Sequence, residues 1–178
     1  MKGRVKTKRL ALGATLASLV TVLLYLGTVI EVLDLTLCAC ASLVIVLAVL
    51  ELGRGFAYSV YATSLVLGLI LVPNKFAVGA FAFIALYSIL KSNIEALKRM
   101  WAWILKLLYF NAVLAAALLL AKLVFMLPGL DTFTLITLAA SGNVAFVLFD
   151  IALTRLIMLY IYKLRSRLRI DKYVSGMR

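Results

Sequence analysis

Long runs of apolar residues, separated by short polar or Gly- and Pro-containing breaks, dominate the pattern of this chain. A helix needs about 20 apolar residues to cross the hydrocarbon core of a bilayer, and fewer suffice where neighbouring protein shields its ends. Six segments approach this length. They run over residues 10–30, 35–52, 56–72, 76–90, 101–127 and 132–160. The pattern predicts an all-α polytopic membrane protein with six transmembrane helices in one domain, residues 1–178.

The breaks between the later segments have physical causes. They read GRG at residues 53–55, VPNK at residues 72–75 and PGLDT at residues 128–132. Proline cannot continue a helix, and glycine accepts a positive φ. In the third break, Asp131 or Thr132 is placed to cap the last helix. All three stretches are therefore predicted to be tight turns.

Composition supports a membrane location. Of the 178 residues, 66% are hydrophobic, whereas soluble domains are roughly half apolar. The net charge of +12 would favour nucleic acid as a partner of a soluble protein. Here the basic residues are grouped beside the apolar segments, where anionic lipid headgroups and membrane topology explain them. We expect the lipid bilayer, and no nucleic acid, as a partner.

The distribution of charge predicts that both termini are cytoplasmic (N-in/C-in). Fifteen of the 19 Lys and Arg residues then lie in cytoplasmic segments, one (Lys75) lies in an external loop, and three lie inside spans. Membrane proteins concentrate positive residues on the cytoplasmic side. We therefore expect a multi-pass protein of the cell membrane with a basic cytoplasmic tail, residues 161–178. The first segment is retained in this interpretation, because its apolar run exceeds that of a signal peptide.

The residue types present limit the chemistry. The chain has no histidine, which excludes imidazole catalysis and most transition-metal sites. Cys38 and Cys40 are separated by a single residue in an apolar run, and this spacing fits neither a zinc site nor a CxxC redox pair. No nucleophile with a base and no carboxylate pair occurs at a recognisable spacing. We predict no catalytic residue, no metal and no cofactor, and a protein that is not an enzyme.

Small residues form a strip on the first predicted helix. Helical spacing pairs Gly13 with Ala17 and Ala14 with Ser18, and Ala11 flanks them. Helices gain no hydrophobic driving force from meeting in lipid, so close association depends on small residues that let their backbones approach. The strip therefore either packs against other helices of this chain or forms a surface on which a separate protein docks.

With KTKRLALGATLAS (residues 6–18) as its first helix, the chain resembles the substrate-binding S component of energy-coupling factor (ECF) transporters. Its size, its six spans with cytoplasmic ends, and the small residues that follow a basic tail carry the resemblance. The resemblance implies capture of a small, vitamin-like organic solute from outside. It also implies docking of the first helix on a transmembrane coupling subunit, which works with ATPases. NKFAVGAFAFIALYSILKSNIEALKRMWAWILKLLYFN (residues 74–111) is also similar to small six-span bacterial membrane proteins that have no assigned activity.

If the resemblance holds, the substrate would bind among the external loops and the outer halves of the later helices. The polar candidates there are Glu31, Asp34, Asn74, Lys75, Lys122, Asp131 and Asn143, with Thr132 and Ser141 beside them. Structural roles remain open for several of them. Lys122 can extend to the outer headgroups, Asp131 can cap a helix, and Glu31 and Asp34 can belong to a solvated loop.

Charged residues in the cytoplasmic half of the predicted spans need an explanation, because they are costly in lipid. They are Glu51, Lys91, Glu95, Lys106, Asp150 and Arg155. Opposite charges at matching depth predict an interhelical network. It would act as a structural lock, since pairing offsets desolvation when both partners are present. A proton or ion relay is the alternative.

The segment LKRMWAWILKLLYFN, residues 97–111, is typical of an interfacial entry into a span. Trp101 and Trp103 follow Lys98 and Arg99, as aromatic residues do at headgroup depth. We expect this segment to anchor the start of the fifth helix.

Two other functions remain open beside the transporter subunit. A structural or assembly membrane protein without transport activity, similar in size to the rod-shape membrane proteins, would have no substrate cavity and would depend on a partner. A proton-coupled carrier or membrane-embedded enzyme would place Asp150, Glu51 or Arg155 in a water-filled cleft.

Overall fold

A computed structural model describes residues 2–125 and 132–164, and the side chains of residues 7–30, 32–119 and 133–163. Its helices are α1 (Lys2–Val29), α2 (Asp34–Leu52), α3 (Arg54–Leu71), α4 (Lys75–Ile94), α5 (Arg99–Phe125) and α6 (Thr132–Leu159). A 3₁₀ turn (Glu31–Leu33) joins α1 to α2, and a π-helical turn (Tyr160–Leu164) extends α6. Within these residues the structure is all-helical, and six helices are long and apolar enough to cross a membrane. The predicted fold class is confirmed to this extent.

The chain divides into two compact units. Unit 1 comprises Met1–Ser92 and Leu159–Arg178, and unit 2 comprises Asn93–Met158. Helices α1 to α3 and all but the last two residues of α4 belong to unit 1, whereas α5 and nearly all of α6 belong to unit 2.

The core of unit 1 consists largely of small and branched apolar side chains. On α1, Ala17, Val20 and Leu24 are buried on one face, at the spacing of successive helical turns. Gly68 lets α3 approach its neighbours closely, because a Cβ atom there would lie 3.3 Å from Val78 on α4. Small residues thus set the distances between helices, as is usual where packing rather than hydrophobic burial drives association.

Polar contacts at the helix ends define the two ends of unit 1. The Lys75 ammonium group donates to the carbonyls of Leu69 and Val72 at the end of α3, over 2.6 and 2.8 Å. At the other end, Gly53 turns the chain from α2 to α3 with a φ of +86°, and Arg54 Nη2 donates to the Ser92 carbonyl over 3.3 Å. The α2–α3 turn and the end of α4 are therefore neighbours.

Unit 2 is an antiparallel hairpin whose helices contact each other at three levels. The contacts pair Lys106 with Asp150, Phe110 with Phe146, and Asn111 with Asn143. From one pair to the next, the residue number rises on α5 while it falls on α6, as it does when two helices run antiparallel. The phenylalanine rings stack with their centroids 4.9 Å apart, so an aromatic layer lies between the ionic and the amide contact.

The amide pair is self-contained. Each Nδ2 donates to the other residue's Oδ1 over 3.1 Å. The second proton of each amide group goes to a carbonyl of its own helix, Leu107 for Asn111 and Ala139 for Asn143, both over 2.8 Å. All four N–H groups are thereby satisfied. Such a pair can lie at the level of the hydrocarbon core and still fix the register of α5 against α6.

Replacement of one amide should destabilise the hairpin. We expect Asn143→Leu to lower the free energy of unfolding by about 1 kcal/mol, because it strands the Asn111 amide. Titration with SDS in mixed micelles measures this loss. The double variant N111L/N143L should recover part of it, whereas N93L, at an exposed amide near the end of α4, should change little. Equal losses for N143L and N93L would refute the assignment.

Candidate functional site

Two predicted substrate-binding residues contact each other in unit 1. Asn74 Nδ2 donates to Asp34 Oδ2 over 2.7 Å. Asn74 also caps α4, since its Oδ1 accepts from the Phe76 N–H over 3.0 Å. Asp34 is the first residue of α2, and Lys75 is the first of α4. Three polar residues from two separate loops therefore lie at one end of unit 1, and we call Asp34, Asn74 and Lys75 the polar cluster.

The second carboxylate oxygen of Asp34 is an open acceptor. Oδ1 is buried and has no hydrogen-bond partner among the described residues. It lies against α1, where a Cβ atom on Gly27 would come within 2.9 Å of it. Only glycine permits this approach at position 27. A buried carboxylate oxygen needs a donor, so this position can accept an N–H or O–H group from water or a ligand.

Two other predicted substrate-binding residues that the structure describes lie in unit 2. Asn143 lies in unit 2, where its amide is bonded to Asn111. Ser141, also in unit 2, donates its hydroxyl to the Thr137 carbonyl of its own helix. The side chains of Glu31, Lys122, Asp131 and Thr132 lie outside the described residues.

The small-residue strip of α1 is divided between the interior and the surface. Gly13 and Ala17 are buried, and a Cβ atom on Gly13 would lie 3.4 Å from Val60 on α3. Ala11, Ala14 and Ser18 are exposed. Part of the strip thus packs within the chain, and part remains accessible on the surface of unit 1.

A surface groove of about 210 Å³ runs between α1 and α3, and we call it the α1–α3 groove. Its lining residues are Leu10, Gly13, Ala14, Ala17, Phe56, Ser59, Val60 and Thr63. The α3 half of this lining was missed at the level of sequence. The sequence does contain a signal for it, because residues 56, 59, 60 and 63 have the i, i+3, i+4, i+7 spacing that places them on one face of a helix.

Three of the predicted charge-network residues form a compact ion cluster in unit 2. Lys106 Nζ lies 2.7 Å from Asp150 Oδ2 and 3.3 Å from Glu95 Oε1. The Lys106 and Asp150 side chains are nearly inaccessible, whereas that of Glu95 is 42% exposed. The ammonium group also lies 5.4 Å from the centre of the Trp103 ring, within the range of a cation–π contact.

The other charged residues have different surroundings. In unit 1, Glu51 Oε1 accepts from the Tyr160 hydroxyl over 3.0 Å, and the ammonium group of the buried Lys91 lies 6.0 Å from the centre of the Tyr87 ring. Arg155 is exposed and forms no ion pair or side-chain hydrogen bond with the residues that the structure describes. Neither tyrosine was singled out from the sequence.

The six apolar helices indicate a multi-pass membrane protein. Within the described ranges, no group of three or more Cys, Asp or Glu side chains is arranged to hold a metal ion. Comparison with protein-family models, curated proteins and solved structures finds no match to this chain.

Loss of the lysine should be the most damaging change in the ion cluster. We expect Lys106→Met to lower the free energy of unfolding by about 3–5 kcal/mol, because it leaves the buried Asp150 carboxylate without this counter-charge. Thermal unfolding in detergent measures the effect.

Two further variants make this test specific. The double variant K106M/D150L should regain much of the lost stability, because it removes both buried charges. The control R155M removes an exposed cation and should cost less than about 1 kcal/mol. Equal losses for K106M and R155M would contradict a stabilising role of the cluster.

Proposed function

We propose that this protein is the membrane-embedded substrate-binding subunit of an ECF-like transporter, with both termini in the cytoplasm. The observation that carries the proposal is the α1–α3 groove. Half of its lining residues are small (Gly13, Ala14, Ala17 and Ser59), and it opens on the surface of unit 1. A groove of this kind lets a helix of another membrane protein approach until the backbones nearly touch. The transmembrane coupling subunit of the transporter is the proposed occupant.

The hydroxyl of Ser59 supports docking at this groove. The neighbouring Thr63 and Ser64 donate their hydroxyls to carbonyls of the preceding turn, over 2.9 and 2.8 Å. Ser59, which lines the groove, forms no such bond and has no side-chain partner among the described residues. A polar group exposed to lipid favours a partner that satisfies it. The Ser59 hydroxyl can therefore bond to the docked helix.

The position of the groove agrees with a cytoplasmic coupling machinery. A Cβ atom on Gly13 would lie 3.9 Å from Leu52, the last residue of α2, so the groove lies in the half of unit 1 near the α2–α3 turn. The polar cluster lies at the opposite end. In the orientation that the positive-inside rule predicts, the groove lies in the cytoplasmic half of the membrane. The polar cluster then lies at the external side.

The polar cluster defines the chemistry of the proposed substrate. Asp34 Oδ1 can accept a hydrogen bond, and Asn74 already holds Oδ2 in place. A small organic solute with an N–H or O–H donor matches this arrangement. Binding would require a small displacement of the chain at Gly27 to expose the oxygen.

Filling the groove should prevent assembly. We expect Ala14→Leu to reduce the amount of coupling subunit that co-purifies by at least about tenfold, because the added side chain occupies the space of the docked helix. The measurement is a pull-down after co-expression with the coupling subunit and ATPases of the same organism. The matched control is A62L, at an exposed alanine of α3 outside the groove. Equal recovery with A14L and A62L would remove the docking assignment.

Removal of the Asp34 charge should abolish substrate retention. We expect Asp34→Asn to lower the amount of co-purifying small molecule, measured by mass spectrometry, by about tenfold or more, since a charged acceptor is replaced by a neutral amide. T36A, at an exposed hydroxyl half a turn away, is the control. A protein that recruits the coupling subunit but carries no ligand would instead be an assembly component.

A further inference from the structure

Three basic residues of unit 2 have exposed side chains and no side-chain partner in the part of the chain that the structure describes. Lys98, Arg99 and Arg155 form no ion pair or side-chain hydrogen bond with the residues that the structure describes. Glu95, the acidic residue nearest in sequence to Lys98 and Arg99, lies against the buried Lys106 over 3.3 Å. The three cations therefore present their charge outward.

The hairpin register places these cations at one level. From the Lys106–Asp150 contact, α5 runs back seven residues to Arg99, and α6 runs on five residues to Arg155. Because the helices are antiparallel, both steps lead toward the same end of unit 2. At 1.5 Å per residue they cover roughly 10 and 7.5 Å, so the two arginines differ in height by only about 3 Å. Lys98 lies one residue beyond Arg99.

Large apolar side chains at the same level are exposed beside the cations. Met100 is 79% exposed and Trp101 is 61% exposed, and Trp103 follows on the next turn. Trp101 and Trp103 are the only two tryptophans of the chain. Exposed indole rings beside exposed cations match the boundary between acyl chains and headgroups, because the ring is apolar and its N–H is polar.

We infer that Lys98, Arg99 and Arg155 form a binding surface for anionic phospholipid headgroups, which we call the lipid patch. Guanidinium groups bind phosphate oxygens in a bidentate manner, and lysine adds a point charge. Arg155 lies within an apolar helix, and its long side chain can reach the headgroups from there. Charge complementarity selects anionic over zwitterionic lipids, since the three cations lie at one level and none has a counter-charge among the described residues. Lipid binding at this patch requires neither a substrate nor a coupling subunit.

The two tryptophans allow a direct test with the full chain. It is reconstituted in bilayers of phosphatidylcholine with about one fifth phosphatidylglycerol. In one sample the phosphatidylglycerol carries brominated acyl chains, and in the other an equal amount of phosphatidylcholine carries them. Bromine quenches tryptophan fluorescence on contact, and the composition of the two bilayers is otherwise identical. We expect quenching by the brominated anionic lipid to be at least about twice as strong.

Matched variants assign the effect to the patch. K98Q/R99Q/R155Q should bring the quenching ratio to about one, because no charge remains to attract the anionic lipid. R99K/R155K keeps the charge and should retain most of the preference. K2Q/R4Q/K6Q removes the same number of charges from the N-terminal tail and should leave the ratio unchanged. Equal quenching by both lipids in the unsubstituted chain, or an undiminished ratio in K98Q/R99Q/R155Q, would overturn the inference.

Discussion

The low polarity of the hydrocarbon core is the constraint on which this structure depends, since a polar side chain there must find its partner within the protein. Hydroxyl groups meet this requirement within their own helices. Thr21, Ser64 and Thr137 each donate to the carbonyl four residues earlier. Amides and charges need a second helix. The Asn111–Asn143 pair and the Lys106–Asp150 contact meet the requirement across the α5–α6 hairpin, and they fix its register at the same time.

Three polar groups depart from this rule, and each of them belongs to a proposed binding site. Among the described residues, Asp34 Oδ1 is buried without a donor, the Ser59 hydroxyl has no hydrogen-bond partner, and Arg155 is exposed without a counter-ion. They lie at three different places: the polar cluster, the α1–α3 groove and the end of the α5–α6 hairpin. Each open group calls for a different kind of partner, respectively a hydrogen-bond donor, a neighbouring helix and an anionic headgroup. The three proposals are therefore independent in their chemistry.

The sequence alone predicts the six helices well, because the length of an apolar run and the Gly or Pro residues that end it are local properties. Contacts between helices are not local. Matching depth predicts acidic partners for both Lys106 and Arg155. In the structure Lys106 lies 2.7 Å from Asp150, whereas Arg155 is exposed and unpaired among the described residues, and depth alone does not distinguish the two. Periodicity likewise shows which face of α1 is small. It does not show that Phe56, Ser59 and Thr63 of α3 form the opposite wall of the groove.

The structure also changes what the small residues of α1 mean. Packing and docking appear as alternatives in the sequence, yet successive residues on a helix point about 100° apart, so one strip can serve both. Gly13 is buried in unit 1, where a Cβ atom on it would lie 3.4 Å from Val60 and 3.9 Å from Leu52, whereas its neighbour Ala14 is exposed in the groove. A larger side chain at Gly13 would therefore disturb the packing of α1 against α2 and α3, and a loss of function there would say nothing about docking. Only substitutions at the exposed residues of the strip can distinguish docking of a partner from packing within the chain.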